Sequence, residues 1–547
     1  MISVSEKKWI EKKINKNSID KLKQDFNFSE IISKLIISRN FDLDEIYSIK
    51  NPSVIVNEFK KNNDFIAAAS LLEKSIDKKE LICVFGDYDV DGTAATSLLA
   101  KFFEYIKQPY FFFIPDRERD GYGPSNLIFK RLILKKPKLI IMVDCGSSSN
   151  QSIAYLNSKK IKSIIIDHHD INKPFPKTNV LINPKKNIND LLKDYYCATT
   201  LTYFFLEIII KKIKSSFNFS NYLIYVLLAL VCDVMPLRKI NRYIALNLIK
   251  NFEIKDNIVF KTLYELCQKK NHLTIEDLGF LIGPIINSGG RLSSSKIATD
   301  LLISENLSVV KEKSLELIKL NKKRKEIENK ILNEINFEKL KKENKNVIIY
   351  YNSKIKEGLI GIIASRLKDY FNKPSIVITT SQNKLKGSAR STINYNICNV
   401  IKKLIDKKLI ETGGGHNMAA GFSMKKGKLK DLENFILEDF ASKNKKLNLD
   451  NTFDAEVSPS AINKNFINEI NKIGPFGYGN PTPIFLIKNL KVIKARTINN
   501  KHINVMLKPK VGKFINSICF NSFNTDLGRY LLSYKKNIHI VAQIYEN

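Results

Sequence analysis

Three short apolar runs, each ending in acid, constrain this chain more than any other feature. ELICVFG (80–86) runs into Asp87, KLIIMVD (138–144) ends in Asp144, and KSIIIDHH (162–169) delivers Asp167, His168 and His169. Helical stretches separate them, TAATSLLAKFFEYI (93–106), opened by Gly92 and Thr93, and SNQSIAYLNSKK (149–160); a fourth apolar run, NVLINP, follows at 179–184. Continuous apolar strands alternating with helices predict a parallel sheet covered on both faces. Open sheets of this kind bind ligands beyond the carboxyl ends of their strands, and that is where this sequence puts its acids.

The first strand ends in GDYDVDG, with Asp87, Asp89 and Asp91 on alternate positions, and a later apolar helix ends in VCDVMPL with Asp233. One Asp after a strand is ordinarily a turn former or a helix cap. Four apolar elements that each end this way, one with adjacent histidines, point instead to side chains gathered along one sheet edge. Carboxylates so close repel one another unless a cation sits among them or water solvates them. Carboxylate oxygens with one or two imidazoles suit Mn²⁺ or Mg²⁺ better than zinc. Their number suggests two ions about 3.5–4 Å apart with an activated water between them, the arrangement that hydrolyses phosphate esters by in-line attack. Asp144, on the middle of the three strands, is the candidate bridging ligand.

Charge supports a polyanionic partner. The 547 residues hold 89 Lys and Arg against 55 Asp and Glu, a formal net charge of +34, and such a field draws in nucleic acid. Lys, Asn and Ile are all abundant, so many lysines are ordinary solvated surface. Arg is scarcer, and Arg117, Arg291 and Arg390 fall in Gly-rich or Ser-rich turns, where a guanidinium fork suits phosphate. The seven cysteines include no CxxC pair and read as reduced, buried small hydrophobes. The apolar stretch Tyr222–Val231 is about half a bilayer span and reads as a buried helix. The first residues, MISVSEKKWIEKKINK, lack the apolar core of a signal peptide, so a cytoplasmic protein without membrane attachment is expected.

The chain is too long for one domain. Residues 1–75 read as helices packed on a catalytic domain at 76–303; a long exposed helix over 304–344 leads to a second α/β unit at 345–446. In that unit the strands NVIIYY and PSIVIT flank the helix IGIIASRLKDYF, and a Gly-rich turn closes it near Gly413–Gly415. Residues 447–547 carry short alternating strands, as a small β-barrel would. The expected class is therefore α/β multidomain.

GDYDVDG, VDCG, DHH and CDVMPL, in this order and spacing, resemble the successive motifs of the DHH phosphoesterases. IPDRERDGYGPS, GPIINSGGRL, KGSARS, GGGHNMAAGF and GPFGYGNPTPIF are similar to the RecJ family in particular, from about residue 45 to the C-terminus. The resemblance implies a DHH domain, a connecting helix, a DHH-associated domain and an OB fold. It implies a single-stranded-DNA-specific 5′→3′ exonuclease of recombination and repair, using Mn²⁺ or Mg²⁺, acting as a monomer beside a helicase and a single-strand-binding protein. It assigns metal binding to Asp89, Asp91, Asp144, His168 and Asp233, with Asp87 a ligand or a support for one. His169 would contact the scissile phosphate, Asp167 would orient the histidine pair, and Arg291 would support the phosphate nearer the metals. Arg117, Ser388 and Arg390 would hold a 5′ phosphate, with Gly414, Gly415 and His416 beside them. Phe476, Tyr478, Phe485 and Phe520 interleave with lysines as base-stacking candidates, although aromatics in short strands are more often core. PFGYGNP reads as a structural turn between domains, in which Gly477 and Gly479 permit unusual backbone conformations.

The chain departs from the family pattern in three places. Ile355 and Lys356 replace a Trp-His pair, Ile285 replaces an Arg, and the small turn after the DHH motif reads CATT. None removes a proposed ligand. Two other readings stay open on sequence: a DHH enzyme for oligoribonucleotides or cyclic dinucleotides, and a non-catalytic DNA-binding scaffold. The C-terminal domain argues against the first and the complete ligand set against the second.

Overall fold

The computed structural model describes residues 1–51, 56–171, 173–187, 195–269, 272–381, 383–443, 450–533 and 537–546. The chain divides into two compact units, one built from Val56–Met235 and Asn247–Lys445, the other from Met1–Ile55, Pro236–Leu246 and Lys446–Asn547.

The larger unit is built on the expected parallel sheet. Its strands β1 (Ile82–Phe85), β2 (Tyr110–Phe113), β3 (Leu139–Val143), β4 (Lys162–Ile166) and β5 (Val180–Ile182) lie in the order β2-β1-β3-β4-β5, every neighbour parallel. Alternate residues face opposite sides of such a sheet. Cys83, Phe85, Ile140, Met142 and Ile165 pack on one side with Phe129, Leu132, Ile153 and Leu156 of the helices Asn126–Ile133 and Asn150–Ser158. The helix Val90–Tyr105 packs against β1, β2 and β3, the helix Ala198–Lys212 packs against β3 and β4, and the two pack on each other. The edge strand β2 had no counterpart in the sequence reading, because YFFF shows neither alternation nor a turn signal strong enough to set it apart from the helix before it.

Helix Val90–Tyr105 starts two residues earlier than Gly92 and Thr93 suggested, because the Asp89 side chain caps it by accepting from the Gly92 N–H at 3.1 Å. Leu223–Cys232 is the buried helix anticipated from composition. Among the described residues, no helix is long and apolar enough to cross a membrane.

The helix Leu307–Glu334 leads on to the second sheet but is not exposed all round. Val310, Ser314, Leu317, Asn321, Arg324, Glu328 and Ile331 recur at three- and four-residue spacing and form a buried stripe. Beyond it lie β6 (Ile348–Tyr351), β7 (Ser375–Ser381), β8 (Lys384–Arg390), β9 (Thr412–His416) and β10 (Ala419–Met424), ordered β9-β10-β8-β7-β6 with only β6 and β7 parallel. Gly413–Gly415 therefore form an edge strand rather than the expected turn; the turn is Asn417-Met418, and Gly415 pairs with Ala420. Arg390 closes β8 and Arg291 sits in the short helix Ser288–Leu292, so only Arg117 of the three lies in a loop.

The smaller unit corrects the expected placement of residues 1–75. Residues 1–55 group with the C-terminal segment, whereas the helix Asn63–Asp77 packs on Ala198–Lys212 in the larger unit. The physical reason is a shared core: Ile32, Leu35, Ile36, Phe41 and Ile46 close on Ile473. Buried ion pairs reinforce it, with Arg39 on Asp454 at 3.3 Å and Arg238 Nε on Glu45 at 2.6 Å. Trp9–Glu11 also pairs in parallel with Asn451–Phe453.

The C-terminal sheet curls around the 14-residue strand Phe485–Ile498. That strand pairs with Ala455–Glu456, His502–Pro509 and Asn537–Ala542, and Ile515–Cys519 extends the sheet. Register shifts at Ile487/Leu490 and Val492/Lys494 let one strand turn through both halves. Of the four stacking candidates, Phe485 is core, Phe476 is half-buried, and Tyr478 and Phe520 are exposed. The GPFGYGNP segment lies within the smaller unit. Gly479 has φ +77°, whereas Gly477 is there for space, since a Cβ would come within 2.7 Å of Leu237.

Candidate metal centre and phosphate-binding cleft

The strand ends and one helix end bring seven acidic and imidazole side chains together. Asp87 follows β1, Asp144 follows β3, and His168 and His169 follow β4; Asp233 caps the C-terminal end of Leu223–Cys232. Three sets of potential ligand atoms lie within 4.8 Å of one another: Asp87, Asp89 and Asp144; Asp144, His168 and His169; and Asp91, His168 and Asp233. Asp144 recurs in two sets and His168 in two, the sharing that a pair of ions requires. The Nε2 of His168 lies 3.3 Å from Asp144, 3.4 Å from Asp233 and 3.6 Å from Asp91.

The electrostatics fit a cation. Burial, with Asp89 beside it, pushes the Asp87 carboxyl up to about 8. Burial and the charges of Asp91, Asp89, Asp87 and Asp233 push Asp144 well above the carboxylate range, and burial with Asp91 and Asp89 does the same to Asp233. Among the described residues, Asp87 Oδ1, Asp144 Oδ1 and Asp233 Oδ2 are buried without hydrogen-bond partners. Orphaned buried carboxylate oxygens are costly, and a divalent ion relieves both the desolvation and the mutual repulsion. Burial first, then the charges of His169 and His416, hold His168 well below its usual value, leaving the neutral imidazole that ligates metal.

Backbone amides fix this cluster. Asp91 accepts from the N–H groups of Ala198 and Thr199 at 2.7 and 2.8 Å, at the start of helix Ala198–Lys212, so the CATT turn holds a candidate ligand at a positive helix end. Gly92 has to be glycine, because a Cβ there would lie 2.6–2.7 Å from the Asp87 backbone. Asp144 sits in the left-handed region at φ +61°, a conformation costly for a residue with a Cβ, and its N–H donates to Ile166 O.

Asp167 stands apart from the orphaned oxygens. It accepts from the N–H groups of His168 and His169, from His169 Nδ1 at 2.8 Å, and from the Ser147 N–H at 3.0 Å. Burial alone would raise its carboxyl, but His169, His168 and Ser147 hold it below the usual range. Burial opposes charge on His169, yet Asp167 above all keeps the imidazolium up to about 9. Asn183 braces the pair by donating to Ser147 Oγ and His169 O. Tyr122 meets the other nitrogen of His169, with its hydroxyl 3.2 Å from Nε2.

Three guanidinium groups converge next to the carboxylates. Among the described residues, none of Arg117, Arg291 and Arg390 forms an ion pair, and Arg117 Nε is a buried donor without a partner. Burial, then Arg117 and Arg390, lower Arg291 to about 9; burial and Arg117 lower Arg390 to about 10. Arg291 and Arg390 remain charged near neutrality, an environment that favours an anion. Arg390 donates to Ser388 Oγ at 3.0 Å, Arg291 donates to Gly358 O at 3.1 Å, and the Arg117 guanidinium stacks 3.8 Å over the Tyr88 ring. Two helix glycines make room: a Cβ on Gly358 would lie 2.4 Å from Arg291 O, and one on Gly361 would lie 2.8 Å from the Arg390 fork. His416 stacks 5.6 Å from His169, and burial, then the His169 charge, lower it to about 4. Gly414 and Gly415 lie on the same edge strand.

The candidate metal ligands, Asp167, His169 and the three arginines thus lie around one site in the larger unit, with Ser388 and His416 beside them, whereas the four stacking candidates belong to the smaller unit. The sequence reading missed Ser147, Asn183, Ala198, Thr199, Tyr88, Tyr122, Gly358 and Gly361. Only the glycine pair, three residues apart in a helix-forming stretch, left a readable signal. Ile285 is core, Ile355 is buried in the second α/β part, and Lys356 is exposed at a helix start.

Known proteins share this organisation. The DHH family N-terminal domain matches residues 81–230, the DHHA1 domain 344–442, and the RecJ OB domain 453–547. The single-stranded-DNA-specific exonuclease RecJ of Haemophilus influenzae is 30% identical over 487 residues, covering 84% of both proteins. The Bacillus subtilis protein of that name is 26% identical over 525 residues, covering 92% of this chain and 64% of the relative. The crystal structure of RecJ from Thermus thermophilus in complex with Mn²⁺ superposes with a TM-score of 0.79 at 19% identity, covering 99% of this chain and 77% of that one.

Proposed function

This chain belongs to the RecJ family, and from that premise we propose that it is a single-stranded-DNA-specific 5′→3′ exonuclease that hydrolyses phosphodiester bonds and releases 5′ mononucleotides. The observation that carries the reading is a pairing of opposite charge excesses in one cleft. Among the described residues, carboxylates with orphaned oxygens lie beside arginines that form no ion pair. Cations satisfy the first group and a phosphate chain satisfies the second.

Asp87, Asp89, Asp91, Asp144, His168 and Asp233 would hold two Mn²⁺ or Mg²⁺ ions, with Asp144 shared. When bound, these ions lower the pKa of a water and neutralise charge on the scissile phosphate. The protein's own groups do the rest. Arg117, Ser388 and Arg390 seat the 5′ phosphate, with Gly414, Gly415 and His416 beside them. Asp167 fixes His169 through Nδ1, leaving Nε2 to meet the scissile phosphate, and Arg291 offsets charge growing on its oxygens. A strand seated by its 5′ phosphate presents the next phosphodiester, which sets the direction of degradation. Such an enzyme works in the cytoplasm in DNA recombination and repair, where a helicase and a single-strand-binding protein would supply and present the strand.

The test uses single strands labelled at either end, with Mn²⁺, Mg²⁺ or chelator present. Mononucleotides released only from the 5′ label, and only with metal, are expected. Release from the 3′ end, or a preference for dinucleotides over long strands, would overturn the reading.

A further inference from the structure

Tyr122 has no part in the scheme above, yet it is placed as though built for it. It lies between Gly121 at φ +81° and Gly123 at φ +70°, and a Cβ on either glycine would meet nothing within 4 Å. These glycines are needed for backbone conformation rather than for space, and they let the loop turn sharply on both sides of one side chain. The loop is anchored just before them, where the Asp116 N–H donates to Asp120 Oδ2 at 2.9 Å and Asp120 pairs with Arg131.

The Tyr122 side chain reaches inward from this hinge although the residue is 57% exposed. Its hydroxyl lies 3.2 Å from His169 Nε2, and its ring meets the His169 and Tyr88 rings edge-on, each at 6.1 Å. His169 is thereby held at both nitrogens, by Asp167 at Nδ1 and by Tyr122 at Nε2. One aromatic path also runs from Arg117, over Tyr88 and Tyr122, to His169.

We propose that Tyr122 is a positioning residue for hydrolysis, resting on the reading above. Its hydroxyl aligns the His169 ring before substrate arrives and moves off Nε2 on the two-glycine hinge when the scissile phosphate takes that place. The hydroxyl therefore acts through His169 and contributes to turnover rather than to strand affinity.

The test measures kcat and KM of the full-length Mn²⁺-loaded protein on 5′-phosphorylated single strands, for Tyr122→Phe, Tyr122→Ala and their combinations with His169→Gln. Tyr122→Phe is expected to lower kcat about tenfold, to leave KM within about twofold, and to match Tyr122→Ala, because the hydroxyl and not the ring carries the role. In the His169→Gln background the Phe substitution should change kcat less than about twofold. Wild-type kcat for Tyr122→Phe, a loss confined to KM, or equal losses in both backgrounds would overturn the proposal. A single-strand exonuclease with normal metal dependence and wild-type kcat in Tyr122→Phe would sink this inference alone. Absence of metal-dependent nuclease activity in the unsubstituted protein would sink the underlying reading.

Discussion

Asp91 shows how a single side chain is shared between structure and chemistry. Its oxygens take two amides at the start of a helix, and Thr199 Oγ1 also donates to its backbone carbonyl at 2.9 Å. Thr199→Val keeps the shape and removes that last bond, so it should weaken Mn²⁺ binding about tenfold, measured by calorimetric titration, while the fold persists. A pH effect follows from Asp87. Its folded value near 8 lies above the unfolded carboxylate value, so the metal-free native state binds more protons than the unfolded one. That contribution to stability is complete below about pH 4 and is lost as pH rises through about 8. Melting temperatures with chelator should therefore fall across this window relative to those with Mn²⁺, and the gap between the two curves should widen steadily; a constant gap would contradict it. The acids themselves were legible because each closes an apolar run. Ser147, Asn183 and Tyr122 were not, because a lone Ser, Asn or Tyr in a loop has no periodicity and acquires meaning only when distant strands align.

Helices and strands were legible where burial is continuous. β1 and β3 are apolar from end to end and were placed within two residues, and β4 within three, whereas the half-buried edge strand β2 was lost among aromatics. Gly413–Gly415 misled in the opposite direction, since a glycine run is a turn signal that here forms an edge strand, paired on one side only. The helix Glu357–Phe371 tests what its glycines do. Alanine is a better helix former than glycine by about 1 kcal/mol, so Gly361→Ala should not weaken the helix. Its added methyl would instead push the Arg390 fork from a position 2.8 Å away. The expected outcome is a KM about tenfold higher for 5′-phosphorylated strands, with little change for 5′-hydroxyl strands, read from steady-state kinetics on the two substrates.

At the scale of the molecule, the sequence suggested domains strung in order along the chain, and the contacts gather differently. No local pattern announces that Ile32 and Ile473 share a core, or that Arg39 meets Asp454 across more than four hundred residues. Asp454 is nearly fully buried and also pairs with Lys12 at 2.8 Å, so Asp454→Asn strands two cations, one of them buried. The smaller unit should lose about 3–5 kcal/mol, visible in urea as an earlier transition for that unit while metal-dependent melting of the larger one is retained. The same arrangement sets a schedule for biosynthesis. Ile32, Leu35, Ile36, Phe41 and Ile46 leave the ribosome as an apolar face whose cover, around Ile473, has yet to be translated. At about 5–20 residues per second that wait is on the order of 20–80 s, during which this face stays uncovered while the larger unit is made.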